Sequence, residues 1–477
     1  MSAATEISTW TFDALEALRR WPGDRRLLML HSGRVHEPWA RYSILAEADG
    51  AWRFETRGEG RGVSAWLAGE ARDRAQPSPA PPAGTGAAAS WRHRPFADLR
   101  AVLEQGGADA PLWLGYFGYD IARFIEPVAT SASRARADRD WPIVQLERCP
   151  GWLVYDGLEQ RWWACGAWAD GGGYPALDRL SARLGDFEAG EPTSVMTRGA
   201  YEAMVGKAKG YIAAGDVFQV NLGQRMTADF AGDRRRLYEA LATASPAWYG
   251  AYLELTPGGL DAPGRVVCST SPELFLDVDA AGRVVTRPMK GTSPASADPA
   301  ALERSEKDAA ELHMIVDLLR NDLGRVCRYG SVRVEQPRTI ESHPTVHQGV
   351  ATVTGELHAS KSVVDLLRAT LPGGSITGAP KVRAMQIIDE LEPVRRGLWC
   401  GAIGWLRGGG GVGPGPGAGG ACLNIAIRTL LVETDATGHG RVDFSVGGGI
   451  VADSQPAAEY QESLDKAQAM LQALRRG

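Results

Sequence analysis

Lys290 stands in T-R-P-M-K-G-T (286–292), between a proline two residues upstream and a glycine, at the end of a β-rich run. A lysine amine becomes a nucleophile only when burial or nearby positive charge lowers its pKa. Alone, a lysine in this setting is usually an ordinary turn residue, so its neighbours in the fold must decide. Two candidate helices supply acids. In the last, Glu459, Glu462 and Lys466 fall at i, i+3 and i+7 on one face, beside a separate apolar stripe of Tyr460, Leu464, Ala467 and Leu471. By itself that face is either solvated or a ligand set. In the other, Asp308, Leu312, Ile315 and Leu319 set an acid in an apolar stripe, with Glu311 beside it. Buried carboxylates need a cation or a hydrogen-bond donor. Two such helices face to face would form an oxygen-rich site suited to Mg2+. There is no H-E-x-x-H and no Cys/His cluster, which argues against zinc.

Two glycine-rich segments offer backbone donors for an anion. Gly447, Gly448 and Gly449 follow the alternating residues Val442, Phe444 and Val446 and are expected to expose consecutive N–H groups. The second is P-G-G-S-I-T-G-A-P-K (372–381), with Pro380 suited to a helix first turn; it is not a P-loop, since no Lys-Ser/Thr follows its glycine. Arg428 is expected on the polar face of a strand, as the partner of a substrate carboxylate or of an internal salt bridge. Glu273, in S-P-E-L-F, is a candidate general acid. The set points to a small acidic substrate that is not a nucleotide.

The elements that must position these groups are legible in outline. Strands are expected over 266–278 and 284–287 around a turn at 279–282. Helices are expected over 305–323, 380–391 and 454–474. Leu423, Ile425 and Ile427 alternate with Asn424, Ala426 and Arg428 as a strand with one apolar face. The 477 residues allow two or three packed units, and a boundary is expected within 186–197, giving domains at 1–190 and 198–477. Twelve of fifteen tryptophans precede residue 170, which suggests a separate N-terminal core. Segments 75–90 and 408–420 read as a tether and a long hairpin tip. Strands and helices mix without a β–α–β rhythm, so the class is α+β. A net charge of −5 and the absence of a basic run argue against nucleic acid as partner. Six scattered cysteines, no C-x-x-C, no apolar run of membrane-spanning length and no signal-peptide pattern suit a cytoplasmic protein.

The motifs S-P-E-L-F, R-P-M-K-G-T, I-V-D-L-L-R-N-D-L-G-R-V, P-G-G-S-I-T-G-A-P-K-V-R-A-M, I-A-I-R-T-L, G-G-G-I-V-A-D-S and E-Y-Q-E, in this order, resemble the chorismate-utilising enzymes. Upstream, L-H-S-G (30–33) and G-Y-F-G-Y-D (115–120) resemble the N-terminal part of the same family. Lys290 together with Gln219 matches the branch that forms aminodeoxychorismate for p-aminobenzoate and folate synthesis. Anthranilate and isochorismate synthases usually carry alanine at the first position, and water-using relatives carry lysine at the second.

That resemblance implies packed, mostly antiparallel sheets with outer helices and a reaction at ring carbon 4 of chorismate. Glu311 and Glu462 would hold Mg2+, with Asp308 and Glu459 behind them, against the ring carboxylate. The amides of Gly447, Gly448 and Gly449 and the Lys466 amine would support that carboxylate, and Arg428 the pyruvyl one. Lys290 would add to carbon 2 while Glu273 protonates the departing hydroxyl. Gln219, Asn221, His347, Ser375 and Thr377 match pocket positions, although a lone histidine is more often a satisfied core residue. Ammonia would come from a separate glutamine amidotransferase subunit, because no cysteine lies in a Gly-x-Cys-x-Gly elbow. Ser32, Arg41 and Tyr42 match stretches that hold tryptophan in relatives. Cys422 stands where the family often has an acid. The alternatives are an anthranilate synthase large subunit and a catalytically silent, tryptophan-binding subunit.

Overall fold

The computed structural model describes residues 4–57, 61–68, 76–77, 95–104, 110–127, 134–257, 264–342, 346–408 and 420–476. Most of the expected tether and hairpin tip (78–90 and 409–419) lies outside the described residues. Two large antiparallel sheets carry the chain, one of 13 strands and one of 12. Along the first run Tyr42–Ala46, Leu28–His31, Tyr249–Glu254, Gly264–Ser271, Thr429–Thr434, His439–Ile450 and Gln219–Gly232. Along the second run Met289–Pro294, Val346–Glu356, Arg283–Arg287, Leu274–Val278, Gly420–Ile425, Ala402–Arg407, Leu112–Phe117 and Val144–Cys149. Leu28, Ile44 and Val154 of the first pack with Leu114, Tyr116 and Ile403 of the second, so the sheets meet face to face with the helices outside. The α+β expectation holds.

Both sheets draw strands from both ends of the chain, and among the described residues the N-terminal part forms no core separate from the later sequence. Trp10, Trp21, Trp162 and Trp168 pack with Leu237, Tyr238, Phe230 and Met470 in one cluster. Tryptophan-rich N-terminal strands are half-cores whose other faces come from later sequence. The segment 186–197 contributes Phe187–Ala189 and Thr193–Ser194, both paired with Gln219–Gly232, so the sheet is continuous across the expected boundary.

The three expected helices form at Glu306–Gly324, Lys381–Leu391 and Pro456–Leu474. Ser305 caps the first, its hydroxyl accepting from Asp308 N. Pro380 sits at the N-cap of the second, one residue earlier than a first-turn position. The buried stripe of the last is Ser463, Ala467, Met470 and Leu474; Tyr460, Leu464 and Leu471 are only half-buried on its flank.

The expected strand 266–278 is two strands. Gly264–Ser271 belongs to the first sheet and Leu274–Val278 to the second, and Pro272-Glu273 make the crossing. One ion pair pins this region from the other side. Arg396 (4% exposed) donates from Nη2 to Glu392 Oε1 at 2.7 Å and from Nε to Oε2 at 2.9 Å. The same guanidinium donates to Ile376 O and Asn221 O, while Gly223 N donates to Glu392 Oε1. Its face lies 4.7 Å from the Tyr119 ring and 4.8 Å from Trp399. Removing the anion of such a pair strands a buried cation. We expect Glu392→Gln to lower stability by about 3–5 kcal/mol in urea denaturation. A change of under about 1 kcal/mol, the range of exposed pairs, would show the pair to be peripheral.

Candidate active site

Glu273 sits at the crossing between the sheets, 5% exposed. Ser375 Oγ donates to its Oε1 at 2.6 Å, and Ile425 N donates to its backbone carbonyl at 3.0 Å. Burial pushes the carboxyl up to about 7, against the opposing pull of Ser375, the Lys290 charge and the Met289 N–H. Lys290 follows on the next strand but one. Its strand Met289–Pro294 bulges against Val346–Glu356 between Met289 and Thr292. Gly291 takes φ +82°, and a Cβ there would lie 2.9 Å from Asp308 Cβ. Burial lowers the Lys290 pKa; Glu311, Glu273 and Glu462 pull it back up, and Lys466 pushes it down further. Desolvation thus biases the amine and the carboxyl toward their neutral forms, while the charge of each opposes the bias at the other.

The strand His439–Ile450 brings the remaining groups to that pocket. Its register places Gly449 opposite Asn221, Gly448 opposite Leu222 and Gly447 opposite Gly223. Strand alternation then gives the three glycines different neighbours. A Cβ on Gly449 would lie 2.0 Å from Gln219 Nε2, 2.9 Å from Asn221 Oδ1 and 3.0 Å from Lys290 Nζ. A Cβ on Gly448 would lie 3.4 Å from Glu459 Oε2, 3.4 Å from Glu462 Oε1 and 3.5 Å from Lys466 Nζ. The strand thus runs between the amine and the acids of the last helix; a Cβ at Gly449 would collide with Gln219, whereas one at Gly448 would be in ordinary contact.

The expectation of consecutive free amides is corrected by this ladder. Gly223 N donates to Glu392 and Asn221 N to Thr377 O, both away from the glycine strand. Antiparallel pairing then turns the N–H groups of Gly447 and Gly449 off the ladder and that of Gly448 into it. Two alternate amides are presented, and Lys466 Nζ donates to Gly447 O at 3.1 Å.

Arg428 also departs from expectation. The strand Gly420–Ile425 ends before it, and Arg428 takes φ +49° in the link to Thr429–Thr434. Both faces of that strand are buried: Asn424 accepts from Ile403 N and donates to Tyr249 O. Burial lowers the Arg428 pKa, and among the described residues no carboxylate pairs with it. A guanidinium held this way is a ready receptor for an incoming carboxylate. The second glycine-rich segment presents acceptors instead of an anion cradle. Ser375 O accepts from Asn221 Nδ2 at 2.7 Å, and Thr377 Oγ1 donates to the carbonyls of Gly373 and Gly374.

Among the described residues no group of three or more His, Cys, Asp or Glu converges as a preformed metal cage. Mg2+ characteristically takes only one or two carboxylates, with water and substrate oxygens completing its shell. Glu311 is raised chiefly by burial, with Asp308 and Glu462 adding repulsion and Lys290 and Lys307 opposing it. Glu459 is raised by burial and by Glu462. Glu462 lies 2.7 Å from Lys466. Hard oxygens crowded by like charge fit a dication that would relieve them.

His347 is buried with both ring nitrogens engaged, by Ser342 Oγ at 2.9 Å and Ala295 O at 3.2 Å. Ser32 Oγ donates to Tyr42 O, and Arg41 is already taken by Asp156 at 2.6 Å. These last three lie in the first sheet's N-terminal strands and their connection, tied to one another. Sequence reading missed Glu392 and Arg396, which hold Asn221; their spacing of four in L-E-P-V-R-R was the available signal.

Comparison with known proteins agrees with this geometry. The family model described as chorismate binding enzyme matches residues 53–472. The chain is 37% identical to the aminodeoxychorismate synthase component 1 of Klebsiella aerogenes, over 94% of this chain and 93% of that protein. It is 40% identical to the Salmonella typhimurium protein of the same name, over 78% of this chain and 77% of that one. The crystal structure of anthranilate synthase component I from Streptococcus pneumoniae superposes with a TM-score of 0.70 at 26% identity, covering 98% of each chain. With its family model matched over residues 53–472 and relatives at 37% and 40% identity, the chain belongs to the family of chorismate binding enzymes.

Proposed function

We propose that this enzyme aminates chorismate at ring carbon 4, giving 4-amino-4-deoxychorismate. The observation that carries the reading is the Lys290–Glu273 pair, in which burial drives an amine and a carboxyl toward their neutral forms side by side.

The uncharged Lys290 amine adds to carbon 2, the ring diene shifts, and the bond from carbon 4 to its hydroxyl breaks. Glu273 supplies the proton that turns the hydroxyl into water. Ammonia then adds at carbon 4, the diene shifts back and the bond from Lys290 to carbon 2 breaks. The proton released by the new amine restores Glu273, so water is the net loss. Ser375 keeps the Glu273 carboxyl aimed through its 2.6 Å hydrogen bond. Arg428 receives the pyruvyl carboxylate, while Lys466 and the off-ladder amides of Gly447 and Gly449 face the ring carboxylate. Mg2+ held by Glu311 and Glu462, with Glu459 and Asp308 behind them, would neutralise that carboxylate and fix the ring. Gln219 and Asn221 close the pocket around the amine.

The source of ammonia in this reading is a separate glutamine amidotransferase subunit. The cysteines support it: five are buried and one half-buried, and burial raises the thiol pKa at each, the opposite of an activated nucleophile. Among the described residues no helix is long and apolar enough to cross a membrane. With all six thiols unpaired, a reducing compartment, the cytoplasm, is the proposed location.

Incubation of the chain with chorismate, Mg2+ and an ammonium salt should give aminodeoxychorismate by chromatography, without pyruvate. Glutamine should replace ammonium only when an amidotransferase subunit is added. Pyruvate release with a fluorescent aromatic product would identify an anthranilate-forming enzyme instead.

The pH dependence follows from the two shifts. Glu273 must be protonated to act, so kcat should fall as pH rises past about 7. Lys290 must be unprotonated, so kcat should also fall on the acid side. Glu273→Gln should lower kcat by about 10²–10⁴-fold with little change in chorismate affinity and remove the alkaline limb. An unchanged rate or an unchanged alkaline limb would exclude Glu273 as the acid.

A further inference from the structure

Arg287 ends the strand Arg283–Arg287, three residues before Lys290, and is 3% exposed. Its backbone pairs with Leu274, the residue after Glu273. It therefore occupies the corner that both reacting groups share. The guanidinium lies 4.1 Å from the centroid of the Trp39 ring and 5.7 Å from that of Trp248. It also donates from Nη2 to Glu341 and, at 3.4 Å, from Nε to Thr352 Oγ1.

Trp39 comes from far away in the chain, in the connection between Leu28–His31 and Tyr42–Ala46. That connection is fastened at two further points. His36 stacks on Trp248 with ring centroids 4.4 Å apart, and Arg34 Nη1 donates to Ser342 O at 2.9 Å. Ser342 in turn bonds His347 on the strand that pairs with the Lys290 strand. An aromatic face on a largely desolvated guanidinium is a strong contact of this class, and a planar fork so held cannot rotate.

We propose that Arg287 is a positioning residue, and that the Trp39 connection clamps it to fix Lys290 relative to Glu273. This rests on the reading of those two groups as the reacting pair. Arg287 touches no substrate; it sets the direction in which its strand enters the Pro288 turn and so the reach of the amine. The N-terminal sequence thereby takes part in the chemistry through one stacked cation.

The test uses the full chain with Trp39→Leu and Trp39→Phe, followed by kcat, KM for chorismate, the pH profile of kcat and a thermal melt. A displacement near 1 Å at the reacting groups lowers turnover about 100-fold. We expect Trp39→Leu to lower kcat roughly 10–100-fold with KM within about twofold and a displaced pH profile, and Trp39→Phe to restore most of the rate. Arg287→Lys, which keeps the charge and loses the planar fork, should resemble Trp39→Leu. A wild-type rate in Trp39→Leu, a fall that matches its loss of folded protein, or an unmoved pH profile would overturn the clamp. These ratios are read from chorismate consumption. A wild-type chain that consumes chorismate without forming the amino product would defeat the proposed reaction and leave the clamp comparison readable.

Discussion

Desolvation of one amine beside one carboxylic acid is the constraint on which this structure turns. Desolvation favours the neutral form of both the lysine and the glutamate, while the charge of each favours the charged form of the other. Glu273 is buried and Lys290 half-buried, and the shifts at both have desolvation as their first cause. Neighbouring charges only adjust the outcome. The acids of the two helices pull Lys290 back toward its cation, and Lys466 opposes them.

Holding that balance requires parts from the whole chain. Glu273 is where the polypeptide leaves one sheet for the other, so its position is fixed by both. Lys290 is carried on a bulged strand whose backbone must turn through a positive φ at Gly291. The ladder Gln219–Gly232 against His439–Ile450 supplies the wall, and the Glu392–Arg396 pair ties that wall to the Ser375 turn. The N-terminal strands complete both sheets and the hydrophobic clusters between and outside them. A division into an independent N-terminal body and a catalytic body does not describe how the core is built.

Much of this was legible in the sequence where a local pattern determines the outcome. The three helices formed within two residues of their expected bounds, because a capping serine and a run of helix formers are local signals. Glu273, Lys290, Glu311, Glu462 and Arg428 were picked out from motif and spacing. The failures share a cause: they depend on partners distant in sequence. The split at Pro272-Glu273 depends on which sheet each half joins. The left-handed Arg428 depends on where the strand Gly420–Ile425 runs out of partners. The alternation of the three glycines depends on ladder register, which no single strand states. The apolar stripe of the last helix moved to Ser463, Ala467, Met470 and Leu474 because the elements packed against it, distant in sequence, choose the buried face.

The central claim is that the Lys290 amine bonds to the substrate during turnover. The most direct measurement is intact-protein and peptide mass spectrometry after rapid acid quench of enzyme mixed with chorismate and Mg2+ without ammonia. The account predicts a species heavier by chorismate less one water, located on the peptide containing Lys290 and lost on addition of ammonium before the quench. A Lys290→Ala chain that shows no adduct yet turns over at the wild-type rate would contradict it.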